Sequence, residues 1–131
     1  MKWNTTIVVI VMAAFVSISM ALPAGGKKGE RNLRVLPAGI SNQQLDSFMN
    51  VYSTALGVQC NFCHVAKTNQ PDSIDFVSDQ NPMKENARKM ISMLISINTN
   101  NFYYDKKIEP LYLNAVTCKT CHRGEPFPEE R

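Results

Sequence analysis

The chain has 131 residues, enough for one domain, and its 14 basic and 11 acidic residues give a formal net charge of +3. The charges are scattered without a basic block or stripe, which excludes an obvious nucleic-acid-binding surface. The four cysteines and two histidines are therefore the residues to follow along the chain.

The N-terminal segment is typical of a secretory signal peptide. Lys2 provides a positive charge, and residues 7–22 follow without any charged side chain. This run is shorter than the roughly 20 residues that span a bilayer comfortably, and small residues near its end suit signal peptidase. We predict a signal peptide over residues 1–21, with an uncleaved membrane anchor as the alternative. The protein is thus expected in the bacterial periplasm, attached to the inner membrane if the segment is retained.

A polar leader and a first helix follow. Residues 22–34 are rich in glycine and charge and predict a flexible leader. Ser41 and Gln44 form a capping-box pattern at the start of a helix, and Gly57 suits its end. Between them, apolar residues recur at three- and four-residue steps. Met49 lies on this apolar face, either as a core residue or as a ligand.

The motif CxxCH occurs twice, as "CNFCH" at 60–64 and "CKTCH" at 118–122, and the two histidines of the chain are the last residues of these motifs. A zinc ribbon, a disulfide pair or a redox-active dithiol would leave both histidines without a role. C-x-x-C-H is the attachment pattern of c-type haem, in which both cysteines form thioethers and the histidine binds iron. We predict two haem c groups, attached through Cys60, Cys63, Cys118 and Cys121 and bound at iron by His64 and His122.

A second axial ligand is needed for each iron, and no histidine remains to supply it. Methionine sulfur is the remaining soft donor, and outside the signal segment the candidates are Met49, Met83, Met90 and Met93. Asn81 and Pro82 predict the start of a second helix, on which Met90 is central to the apolar face. Met93 is an alternative on the same helix, whereas Met83 in its first turn is the least suited.

The sequence therefore predicts two similar units, each a helix that carries a methionine and is followed by CxxCH. This pattern predicts a mainly α fold: a small single-domain multihaem cytochrome c over residues 35–125, with two helix-turn-CxxCH units and irregular loops. Little in the sequence suggests a sheet, and Pro110 interrupts any helix through the stretch before Cys118. Residues 126–131 are predicted to form an irregular tail.

Residues 32–124 also resemble the cytochrome subunit family of photosynthetic reaction centres, in a short two-haem form. The resemblance rests on "NLRVLP", "ALGVQCNFCH", "DFVSD", "KENARKMISMLISIN" and "VTCKTCHRG". It implies haems on repeated helix-turn-CxxCH segments, with a methionine of the preceding helix as the sixth iron ligand. Carried over, it selects Met90 over Met93 and supports Met49 for the first haem. This chain departs from the family because the photosynthetic subunits are longer and carry four haems.

These observations predict a periplasmic dihaem electron carrier rather than an enzyme. Its iron centres would exchange single electrons with redox partner proteins, either freely or within a membrane-associated respiratory complex, and membrane contact requires the N-terminal segment to be retained. A peroxidase-like or gas-binding haem enzyme is the alternative if one iron lacks its methionine. One of Arg88 and Arg123 is expected to pair with a haem propionate.

Overall fold

The structure, a computed structural model, describes residues 30–128. The predicted signal peptide or anchor, most of the predicted leader and residues 129–131 lie outside the described residues. The elements in chain order are helix α1 (Asn42–Leu56), strands β1 (Val65–Lys67) and β2 (Gln70–Asp75), helix α2 (Pro82–Phe102) and helix α3 (Cys118–His122), with 3₁₀ turns at Cys60–Phe62 and Pro110–Tyr112. Within residues 30–128, no helix combines the length and apolar character that crossing a membrane would require.

The prediction of a mainly α fold with two helix-turn-CxxCH units is wrong. Helical segments cover slightly less than half of the described residues, and β1 and β2 form an antiparallel hairpin in which Val65 pairs with Asp75. The two units also differ: the first motif forms a 3₁₀ turn shortly after α1, whereas the second motif is itself the helix α3 and follows a long segment after α2. The sequence does not indicate this hairpin, because Pro71 and Asp72 in β2 are residues that strands usually avoid.

Helix α1 begins and ends where the sequence predicts. The Ser41 hydroxyl accepts a hydrogen bond from the Gln44 backbone N–H at 3.2 Å, and the Gln44 side chain accepts one from the Ser41 N–H at 3.2 Å. Gly57 ends the helix in the left-handed conformation, with φ of 65°. Local capping chemistry therefore fixes the helix that leads into the first CxxCH motif.

Helix α2 also begins as predicted. The Asn81 side chain caps it by accepting from the Met83 N–H at 3.0 Å, and Pro82 occupies the first position. The helix continues past Asn98 to Phe102. Its most buried side chains are polar, namely Lys84, Arg88 and Asn98, which are 8%, 8% and 1% exposed. Polar contacts rather than an apolar stripe therefore orient this helix.

The apolar core is small. Among the described residues, the buried apolar side chains are Leu36 and Ile40 in the segment before α1 and Ala55 near the end of that helix. The ring of Phe48 on α1 lies 6.1 Å from that of Tyr52 and 5.9 Å from that of Tyr112. The helix that precedes the first motif is thus packed against the segment that precedes the second.

Candidate functional site

The second CxxCH motif forms one short helix, α3. Thr117 caps it through reciprocal bonds with Thr120, and Arg123 ends it with a φ of 54°. Cys121 and His122 lie three and four residues after Cys118, so helical geometry places the three side chains on one face. The two thiols and the imidazole of the motif therefore lie on the same face of α3.

The imidazole of His122 is fixed by a contact with the backbone. Its Nδ1 lies 3.0 Å from the backbone carbonyl oxygen of Glu125. Because a carbonyl can only accept, this contact assigns the ring proton to Nδ1 and leaves the Nε2 lone pair free. A histidine ligand is typically fixed by a partner of this kind on its second nitrogen.

The first motif reaches a similar arrangement through a 3₁₀ turn. The backbone N–H groups of Cys63 and His64 both donate to the Cys60 carbonyl, at 3.3 and 3.0 Å. The two thiols and the imidazole therefore arise from one turn of chain here as well. The turn is fixed from outside, because the Asn81 side chain donates to the Phe62 carbonyl at 3.0 Å and the Phe62 ring lies 6.2 Å from that of Phe127. The predicted tail thus contributes a contact to the first motif.

The surroundings of His64 differ from those of His122. Its ring meets Phe76 edge-on, with centroids 5.1 Å apart, and its Nδ1 is buried with no hydrogen-bond partner among residues 30–128. Burial lowers the pKa of His64, and the positive charges of Lys84 and Arg88 lower it further, while Asp75 opposes them. The first imidazole therefore sits in a less polar and more positive environment.

The positive charge beside His64 belongs to a group of ionic side chains that we call the Asp79 cluster: Asp79, Lys84 and Arg88, with Arg34 and Glu85 at its rim. Lys84 Nζ lies 3.1 Å from Asp79 and donates to the carbonyls of Phe76, Val77 and Ser78 at 3.0, 2.9 and 2.8 Å. Arg88 lies 2.9 Å from Asp79 and also pairs with Glu85 at 3.0 Å. The hydrogen bond from Arg88, followed by that from Asn32, holds the pKa of Asp79 well below its usual range.

Arg88, one of the two arginines predicted to pair with a haem propionate, belongs to the Asp79 cluster. Arg88 is committed to Asp79, to Glu85 and to the backbone carbonyl of Asn32, at 3.0 Å for the last. The structure thus gives Arg88 an evident role within the protein itself. Arg123, by contrast, is exposed at the end of α3. The prediction that one of them pairs with a propionate stays a prediction.

A cleft of about 870 Å³ lies beside the second motif. It is lined by one face of α1, including Val51 and Ala55, and by Cys118 at the start of α3. This volume lies within the roughly 300–1,000 Å³ of small-molecule and cofactor sites. Burial raises the pKa of nearby Tyr52 to about 12, with a further contribution from Cys118. A flat cofactor attached through Cys118 would find space directly next to its thioether.

The cysteines are available for thioether formation. All four are unpaired, and burial raises the pKa of the Cys63 and Cys118 thiols. A redox-active dithiol or a zinc site requires a thiolate, which is favoured by a lowered thiol pKa. In the part of the chain that the structure describes, no three His, Cys, Asp or Glu side chains come together as ion ligands. The donor set therefore fits two haem c groups.

The methionine ligands are not settled by burial. Met49 is half-buried on α1, where the sequence places it on the apolar face. Met90 and Met93 are each 50% exposed on α2, so exposure does not distinguish them. Met83 is half-buried in the first turn of that helix. The assignment of Met49 and Met90 as iron ligands stays a prediction.

Three contacts that the sequence does not reveal bring distant parts of the chain together around the second motif. The Gly124 N–H donates to the Ala55 carbonyl at 3.0 Å, and a Cβ at Gly57 would overlap with the carbonyl oxygen of Gly124. The end of α1, just before the first motif, thus lies against the residue that follows α3. Near the C-terminal end of α2, the Asn98 side chain donates to the Val116 carbonyl and accepts from the Val116 N–H, both at 2.8 Å.

The comparisons with known proteins agree with this donor set. A family model described as photosynthetic reaction centre cytochrome C subunit matches residues 68–131. Cytochrome c-554 of Chloroflexus aurantiacus is 33% identical over 96 residues, which are 72% of this chain. The predicted family resemblance is confirmed. The reaction centre cytochrome c subunits of Rubrivivax gelatinosus and Roseobacter denitrificans are 31% and 30% identical over 71 and 90 residues, or 54% and 63% of this chain.

The extent of these matches is limited. The chain spans 20%, 16% and 23% of the three cytochromes, or about a fifth of their length. The family model covers α2 and the second CxxCH motif, whereas the first motif lies before the matched residues. No solved structure matches the chain. The likeness to cytochromes c is therefore clear, while the number of haems rests on the two motifs themselves.

Proposed function

We propose that this protein is a dihaem cytochrome c that transfers single electrons between redox partners in the bacterial periplasm. The observation that carries the proposal is α3: it presents two unpaired thiols and, on the same turn, an imidazole whose Nδ1 is held by a backbone carbonyl. The first motif repeats the turn with Cys60, Cys63 and His64. The likeness to cytochromes c supports the same chemistry.

Each motif residue has a defined role in this proposal. The four cysteines bind two haems covalently, and His64 and His122 each donate one nitrogen to iron. Met49 and Met90 would each supply a sulfur to hold one iron, which would leave no free position for a substrate. When bound, haem supplies a centre that cycles between ferric and ferrous iron. The protein therefore acts as a carrier, either free or as a small subunit of a membrane-associated respiratory complex, and not as an enzyme.

The number of haems is tested by the intact mass of the exported protein, made in a host with cytochrome c maturation machinery and measured under denaturing conditions. We expect the processed chain plus two haems. The double variants Cys60→Ser/Cys63→Ser and Cys118→Ser/Cys121→Ser should each lose one haem, because each removes both thioethers of one motif. A wild-type mass without haem, or a double variant that retains both haems, would overturn the proposal.

The methionine ligands are tested on the ferric protein by its sulfur-to-iron charge-transfer band. Met49→Ala and Met90→Ala should each remove one haem's share of this band, whereas Met93→Ala, on the same helix and equally exposed, should retain both. Rapid carbon monoxide binding by the untreated wild-type protein would contradict two closed coordination shells and favour the haem-enzyme alternative.

A further inference from the structure

The two histidines of the CxxCH motifs have unlike partners. The Nδ1–H of His122 donates to the Glu125 carbonyl at 3.0 Å, whereas the Nδ1 of His64 is buried without a partner among residues 30–128. A hydrogen bond from Nδ1 raises the basicity of the imidazole and so favours the more positive, ferric state of a bound iron. His64 lacks this contribution, which favours ferrous iron at the first motif.

Nearby positive side chains also favour ferrous iron at the first motif. Lys84 and Arg88 are each 8% exposed. Lys84 Nζ donates at 3.0 Å to the carbonyl of Phe76, whose ring lies 5.1 Å from that of His64. The opposing carboxylate of Asp75 is itself engaged by the N–H groups of Val77 and Ser78, at 2.8 and 3.0 Å. Buried charges act through a lower effective dielectric than exposed ones.

The second motif has positive neighbours in sequence as well, but they differ in burial. Lys119 and Arg123 flank His122 on α3, and both are exposed. Exposed charges are screened by water and salt and so perturb a nearby redox centre less. The positive charges near the first motif are therefore less screened by solvent than those near the second.

From these two independent features we propose that the first motif holds the higher-potential haem, and that Lys84 is a residue that sets this potential. The proposal rests on the proposed dihaem function. In the singly reduced protein, one electron leaves the iron at His122, which becomes ferric, and reduces the iron at His64 to ferrous, with no proton transferred.

The test is a spectroelectrochemical titration of the holoprotein, which should resolve two one-electron waves. We expect the first motif to hold the electron at least tenfold more often than the second, which corresponds to about 59 mV. Lys84→Gln removes the charge but keeps a hydrogen-bond donor, and should shift the higher wave downward. Asp79→Asn removes the opposing carboxylate and should shift the same wave upward. Lys107→Gln is the matched control, because Lys107 is an exposed lysine outside the Asp79 cluster, and it should move neither wave.

Opposite shifts of the higher wave alone support the proposal, because general destabilisation would not change sign between two variants of one cluster. Movement of the lower wave, equal movement of both, or shifts in the same direction would overturn it. If Lys84→Gln does not fold, the upward shift in Asp79→Asn still decides the question. A holoprotein without redox change at either haem would instead overturn the proposed function itself.

Discussion

The close approach of α1 to the residue after α3 can be tested by placing a methyl group in it. Gly57 has a φ of 65°, so an alanine there meets the left-handed penalty of about 1–2 kcal/mol. Its Cβ would also overlap with the Gly124 carbonyl oxygen and lie 3.2 Å from the carbonyl carbon. The backbones must separate, which removes the Gly124-to-Ala55 hydrogen bond at a cost of about 1 kcal/mol. We expect Gly57→Ala to lower the free energy of unfolding by about 3 kcal/mol.

Two other glycines serve as controls for this variant. Gly124 has a φ of 100° but nothing within 4 Å of an added Cβ, so Gly124→Ala measures backbone strain alone, about 1–3 kcal/mol. Gly39 has neither a positive φ nor a neighbour within 4 Å, and Gly39→Ala should cause no loss. The assay is urea unfolding of the holoproteins, followed by far-UV circular dichroism. If Gly57→Ala loses no more than the about 1–2 kcal/mol of left-handed backbone strain, the close contact between Gly57 and Gly124 does not exist.

Three further predictions concern polar contacts. Asn98→Leu should lower the free energy of unfolding by about 2–4 kcal/mol, because it leaves the half-buried Val116 N–H and C=O without their partner. Asn100→Leu, an exposed neighbour on the same helix, should cost far less in the same urea titration. Ser41→Ala should cost about 1 kcal/mol through loss of the α1 cap, and equal stability of variant and wild type would contradict the capping box. The lowered pKa of Asp79 means that this carboxylate stabilises the fold above its unfolded pKa, about 3.9, and that the stabilisation is lost as pH falls through the lower folded value. Asp79→Asn should therefore flatten the acid side of a plot of unfolding free energy against pH. An unchanged acid slope in the variant would refute this.

Features determined by neighbouring residues could be predicted from the sequence. The Ser41–Gln44 capping box, the Gly57 stop and the Asn81–Pro82 start depend on residues within a few positions of each other, and all three are present in the structure. The CxxCH motifs are local in the same way, because one helical turn is enough to place two thiols and an imidazole together. No knowledge of the tertiary fold is needed for either kind of feature.

Features determined by distant contacts could not be predicted. The β1–β2 hairpin was missed because its first strand has three residues and its second contains Pro71, so neither shows the usual alternation. Lys84 and Asn98 look like surface residues of an amphipathic helix, yet both are buried by partners outside α2. The difference between the two histidines depends on the Glu125 carbonyl and on the Asp79 cluster, and the CxxCH motif specifies neither.

The polar contacts of α2 define the spatial relation between the two motifs. Asn81 at its start bonds to Phe62 inside the first motif, and Asn98 bonds to Val116 just before the second. At a rise of 1.5 Å per residue, these two anchors lie about 25 Å apart along the helix. Because hydrogen bonds are directional and apolar contacts are not, a few buried polar anchors fix this spacing more tightly than the small apolar core could. In the proposed dihaem carrier, Asn81 and Asn98 would hold the two motifs at a constant separation, together with the hydrogen bond from Gly124 to Ala55.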